Sequence, residues 1–193
     1  MTEIMQSIRP KWCELIAQGK KTIEVRKTRP RCDTPFKVDI YCTNDRKIML
    51  ERSNYDKSIY LNSNIYYPHK MGCSLNGKVI GEYICDEVLE YPYIDDGYSS
   101  GGDYLTITRE EYIKMCLDHA GLLTYGDGKT LYGWHISDLQ IYGTPRALSD
   151  FQLACNHKED CCTCKRWSGK EFACIGGLKR APQSWCYVQR IWE

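Results

Sequence analysis

Two stretches of the chain hold residues whose types and spacing could do chemistry. The first runs from Ile8 to Arg26 (IRPKWCELIAQGKKTIEVR) and ends in Lys20, Lys21, Thr22, Glu24 and Arg26. In an extended segment the side chains alternate, so Thr22, Glu24 and Arg26 share one face and Ile23 and Val25 the other. Cations set beside a carboxylate suit charge-assisted hydrogen bonds to a phosphate or a base edge. The same set could work as an acid–base pair, with Lys21 and Glu24 exchanging protons and Thr22 as a neighbouring hydroxyl. A plainer role competes: Lys20 and Lys21 stand where a helix C-terminus would welcome positive charge.

The second stretch is richer in soft ligands. Cys155, His157, Cys161, Cys162, Cys164 and Cys174 fall within twenty residues. Zinc takes four such ligands in a tetrahedron, and a site filled by protein is structural rather than catalytic. The preferred set is Cys155, Cys161, Cys164 and Cys174, with Cys162 or His157 able to replace a member. Few large apolar side chains accompany them, so a bound metal would supply the stability of this knob, residues 150 to 180. Without metal, the thiols would be a reduced loop or would form a disulfide on oxidation.

Local patterns define the elements that must position these groups. Glu3 to Arg9 alternates as a strand, and Pro10 fits the first turn of a helix ending at Gln18 before Gly19. Strands follow at 21–27 and 36–43. Residues 44–77 are polar, rich in Asn, Ser and Tyr, and are expected to form a loop insertion. Lys78 to Tyr91 is a strand long enough to bend. Thr108 and Glu111 form a capping box for a helix running to Ala120, stopped by Gly121. A turn at 125–130 leads to a strand at 131–142, and the last strand spans 184–192. Many strands and two helices, without regular alternation, predict a single α+β domain over residues 1–193. Its sheet is expected to be mainly antiparallel and barrel-like, with short flanking helices.

Composition narrows the class of protein. The 193 residues are 42% hydrophobic, with fifteen Tyr and five Trp, which excludes a disordered chain. No run approaches the roughly 20 apolar residues of a membrane span. The first residues lack a signal-peptide pattern, so a reducing cytoplasm is expected, with thiols free or on metal. The seven cysteines outside the cluster sit among apolar neighbours, as buried thiols do. Net charge is only +1, yet Arg9 to Lys37 carries +6 and Lys78 to Asp127 carries −8. Local positive charge of this kind permits an anion-binding cleft on a neutral protein. Tyr66, Tyr67, Tyr91, Tyr93, Tyr98 and Trp134 are the aromatics that could stack an unpaired base. Trp134 and His135 must point to opposite strand faces.

The segment GKKTIEVR, after a helix that begins at Pro10, resembles the G-x-K-x-x-E-x-R signature of the ASCH family. GKVIGEYICDEV, YGWHISDLQIYGTPRALSDF and APQSWCYV resemble its later segments in the same order, so the likeness covers most of the chain. The resemblance implies a PUA-like β-barrel with a helix-flanked cleft that takes RNA or a nucleotide-like ligand, with Lys21, Glu24 and Arg26 as the matching positions. Some ASCH proteins remove the acetyl group from N4-acetylcytidine through a threonine, a lysine and a glutamate. The lysine carries over to Lys21, but Glu24 stands where the threonine nucleophile would be, and a carboxylate does not replace an activated hydroxyl. The expected function is therefore binding of RNA or a modified nucleoside or nucleotide. Lys20, Lys21, Thr22, Glu24, Arg26 and Trp134 are the expected ligand contacts, and zinc is the expected cofactor. The alternatives are a small hydrolase or ribonuclease using Lys21 and Glu24, and a protein-interaction module.

Overall fold

The computed structural model describes residues 1–63, 72–95, 104–154 and 177–191. The chain opens with strand β1 (Glu3–Ile8), helix α1 (Pro10–Ala17) and strand β2 (Ile23–Arg26). Proline at the first helical position starts α1, because its missing N–H has no intrahelical partner there anyway. Gly19, at φ +70°, supplies the left-handed residue that ends it. Strands β3 (Phe36–Cys42), β4 (Met49–Ser53), β5 (Ile59–Asn62), β6 (Gly72–Ser74), β7 (Lys78–Cys85), β8 (Val88–Tyr91), β9 (Tyr93–Ile94) and β10 (Tyr104–Leu105) follow. Helices α2 (Arg109–Met115) and α3 (His119–Gly126) precede β11 (Leu131–His135), β12 (Ser137–Arg146), β13 (Phe151–Leu153) and β14 (Trp185–Arg190).

The largest sheet has six strands in the order β12-β7-β3-β1-β14-β13. Only the β1–β3 pair in it is parallel, so the expected α+β, mainly antiparallel architecture is what forms. A three-stranded sheet, β2-β11-β8, carries the motif strand. The expected strands at 78–91 and 131–142 both pass from one sheet to the other, breaking at Asp86–Glu87 and at Ile136. His135 N–H donates to Glu87 O and Ile136 N–H to Thr22 O, which fixes the corner. Gly133 allows the three strands to close: a Cβ there would lie 2.8 Å from both Ile23 and Tyr91.

Apolar side chains between α1 and the sheets form the main core, including Ile4, Ile8, Ile16, Phe36, Val38, Ile40, Leu50 and Trp134. A second cluster, with Ile23, Val25, Met115, Leu122 and Leu131, lies under α2 and α3. Each such side chain contributes roughly 1.5–3 kcal/mol by leaving water. Among the described residues no helix is long and apolar enough to cross a membrane.

Three expectations change. Residues 44–77 are not a loop throughout: β4, β5 and β6 pair as an antiparallel sheet. Its composition hid it, because its polar residues are bonded internally. Tyr60 and Asn62 both donate to buried Glu51, and the Asn76 amide bridges Ile48 and Leu50. Arg52 donates from this sheet to the carbonyls of Tyr142 (2.5 Å) and Gly143 (2.6 Å) in β12. The helix expected to Ala120 stops at Met115, where Cys116 turns left-handed at φ 53°. Asp118 then caps α3 by accepting from Gly121 N–H, so Gly121 lies inside a helix and Tyr125 belongs to it. The expected capping box of Thr108 and Glu111 forms. Finally, Cys73 is exposed and Cys32, Cys116 and Cys186 are half-buried, leaving Cys13, Cys42 and Cys85 as core thiols.

Candidate functional site

Strand β2 is buried along its whole length, which forces its charged face to find partners inside the protein. Lys21, Glu24 and Arg26 are 2%, 6% and 7% exposed. The Glu24 carboxylate lies between the two cations, 3.4 Å from Lys21 Nζ and 3.1 Å from Arg26 Nη2. Arg26 also donates to Ser7 O at 2.8 Å, next to the start of α1. The Lys21 ammonium donates to Met115 O at 2.6 Å. It therefore does complement a helix C-terminus, but that of α2 rather than of its own α1.

These side chains line a pocket of about 270 Å³ together with Arg9, Trp12 and Tyr125. Arg9 is the N-cap of α1 and makes no side-chain cap bond. Trp12 presents its ring to Lys21, whose Nζ is 5.1 Å from the ring centre, a cation–π distance. Tyr125 reaches in from α3. Burial raises its phenol above the ordinary value; Arg26 and Arg9 oppose this and Glu24 adds to it. Three cations thus face one carboxylate among the residues lining the pocket. Glu24 Oε2 and Arg26 Nε are buried without a hydrogen-bond partner. Larger depressions, about 870 and 670 Å³, lie beside Tyr187 and beside Lys57, and neither includes a motif residue.

The other expected site residues fall elsewhere. Lys20 is exposed and does not line the pocket. Thr22 is half-buried outside it, with its N–H given to Lys114 O and its carbonyl accepting from Ile136 N–H. Trp134, the proposed stacking platform, is wholly buried between Phe36 and Trp185, at ring distances of 5.3 and 5.7 Å. Tyr91 is buried and donates to Glu111. His135 bonds Asp86 at 2.7 Å on the opposite face from Trp134. Tyr66, Tyr67, Tyr98 and the zinc set of Cys155, His157, Cys161, Cys162, Cys164 and Cys174 lie outside the described residues. Among the described residues, no group of three or more His, Cys, Asp or Glu side chains could hold a metal ion.

Arg9, Trp12 and Tyr125 were missed as site residues. Arg9 was visible as part of the +6 segment. Trp12 read as helical core, and Tyr125 as part of a turn; nothing local marked either as lining a cleft.

A second buried ionic cluster crosses the six-stranded sheet. Arg190 of β14 lies 2.9 Å from both Asp39 and Glu3 and contacts Glu82. Tyr142 donates to Glu82 at 2.5 Å, and Lys37 is 3.7 Å from Glu3 and Glu82. Burial pushes the Asp39 carboxyl up to about 7, against the pull of Arg190 and with the help of Glu3 and Glu82. Burial also works against Glu82, but hydrogen bonds from Tyr142 and Arg190 outweigh it and leave that carboxyl lowered. From the arginine's side burial is likewise opposed, and the surrounding carboxylates hold its guanidinium more firmly protonated.

No protein-family model matches the chain, and no curated protein matches it. Among solved structures the chain is similar to ASCH from Zymomonas mobilis, at 18% identity and TM-score 0.45, over 76% of this chain and 73% of that one. Two single-residue variants of the same protein are similar at 18% and 17% identity, with TM-scores of 0.47 and 0.42. They cover 76% and 77% of this chain, and 74% and 77% of their own. ASCH is the family that the GKKTIEVR segment resembles.

Proposed function

We propose that the chain is an ASCH-type, PUA-like domain whose pocket binds RNA or a modified nucleoside or nucleotide. One observation carries this reading. The pocket gathers buried Lys21, Glu24 and Arg26 with the aromatic side chains of Trp12 and Tyr125. Polar groups fixed by burial give orientation, and aromatic walls give a surface on which a base can stack. The bends at Asp86–Glu87 and Ile136 support treating the two main sheets as walls of a small barrel.

The threonine-type deacetylation that the resemblance implies would need a hydroxyl nucleophile beside Lys21. Thr22 is not in the pocket, and the Ser7 hydroxyl that borders it donates to Pro182 O at 2.6 Å. Binding is therefore the function proposed, and turnover of RNA abolished by Glu24→Gln would instead assign acid–base cleavage to Lys21 and Glu24. Short single-stranded RNA should bind at low salt and weaken steeply as salt rises, because phosphate contacts release counterions. Lys21→Met, checked for folding by circular dichroism, should weaken binding by about tenfold. Equal affinity of the folded variant, or no binding of RNA, nucleoside or nucleotide at low salt, would remove the proposal.

A further inference from the structure

The composition of the pocket says more about the ligand than that it is flat. Arg9, Lys21 and Arg26 outnumber Glu24, the one carboxylate among the residues that line it. The surplus lies at the Arg9–Arg26 side, where α1 begins. That helix starts from an arginine N-cap with no side-chain cap bond and no acidic residue in its first turn. Its dipole favours negative charge. Pro10 has no N–H and the Trp12 N–H is given to Arg9 O, so the arginine side chains rather than the helix amides carry the anion preference. Independently, Arg26 is more than nine-tenths buried, with its Nε–H lacking an acceptor. Its Nη2 already serves Ser7 O and Glu24.

We infer that the pocket takes a nucleotide through its phosphate monoester, held between Arg9 and Arg26 beside the start of α1. This rests on the base-binding reading above and narrows it. A neutral nucleoside would leave the surplus charge unanswered, whereas a dianionic phosphate answers it. The volume, about 270 Å³, suits one nucleotide rather than a stretch of strand. Glu24, which lines the pocket and whose Oε2 is ion-paired with Lys21 at 3.4 Å without a hydrogen bond, is then the acceptor for a base N–H.

The test is calorimetric titration of the whole chain with AMP, CMP, GMP and UMP, with the four nucleosides, and with inorganic phosphate. At least one monophosphate should bind about tenfold or more tightly than its nucleoside, and the gap should shrink with salt. Arg9→Ala changes an exposed residue, so it should fold normally, and it should bring the gap below about threefold. A nucleoside that binds as well as its monophosphate would overturn the anion inference and leave base binding standing. Inorganic phosphate binding as tightly as any nucleotide would overturn both, since no base would be read. RNA binding equally with a 5′-hydroxyl or a 5′-phosphate, while monophosphates fail to bind, would replace the monoester by the strand's own phosphodiesters. Failure of every probe would remove both proposals.

Discussion

Among the described residues, two ionic clusters built on buried side chains show opposite imbalance. Around the pocket, buried Lys21 and Arg26, with exposed Arg9 beside them, face Glu24, the one carboxylate among the lining residues. Across the six-stranded sheet, Glu3, Asp39 and Glu82 converge on Arg190, with Lys37 at the edge. The second cluster bridges four strands through its own partners, and Tyr142 of β12 adds a fifth. The first leaves cationic groups beside an open volume. Both clusters are costly to bury, so the difference lies in what completes them. One is completed by the fold, and the other is the one proposed to be completed by a ligand of negative charge.

The largest expected effect tests this asymmetry directly. Glu24→Ala leaves Lys21 and Arg26 buried without their carboxylate and should cost about 3–5 kcal/mol of stability by urea denaturation. Glu82→Ala should cost clearly less, because Asp39 and Glu3 still neutralise Arg190. Equal losses would break the comparison.

A smaller effect comes from pH. The Asp39 carboxyl lies at about 7 in the fold against an ordinary 3.8. A raised value means that its stabilisation is complete below the unfolded value and disappears as pH rises through about 7. Stability should therefore fall between pH 5 and pH 8 by about 3 kcal/mol or less. Asp39→Asn should flatten that slope. A slope unchanged in the variant would assign it to other groups. The lowered Glu82 acts in the opposite direction, losing stability as pH falls, and in a window below pH 5 or so.

The smallest effect is expected from Tyr142→Phe, which removes the hydroxyl that donates to Glu82. A hydrogen bond to a charged group contributes about 1.5–3 kcal/mol, and the variant should lose stability near the lower figure. No loss would show that Arg190 and Lys37 satisfy Glu82 without it.

Much of this was legible in local patterns. β1, α1, β2 and β3 fall within a residue or two of their expected ends, because Pro10, Gly19 and strict alternation act over short range. Lys21, Glu24 and Arg26 could be singled out because charges on a strand between apolar residues must be accommodated. What local pattern lacks is the partner across the fold. Nothing near Lys21 in sequence signals that Met115 O will receive its ammonium. Nothing near Trp134 distinguishes a stacking platform from a ring enclosed by Phe36 and Trp185. The polar strands β4 to β6 escaped notice because their buried Glu51 and Arg52 are satisfied by residues many positions away.

Arg52 changes what the 49–74 region is. An insertion that merely rides on a domain can be excised, leaving the host closed behind it. Here the guanidinium holds two carbonyls of β12, and Leu50 fills a place in the main core. Cutting these strands out would strip hydrogen bonds from the edge strand of the largest sheet and open a void beside α1. The region is built into the domain as masonry, so a shortened chain would need a new residue to do what Arg52 does.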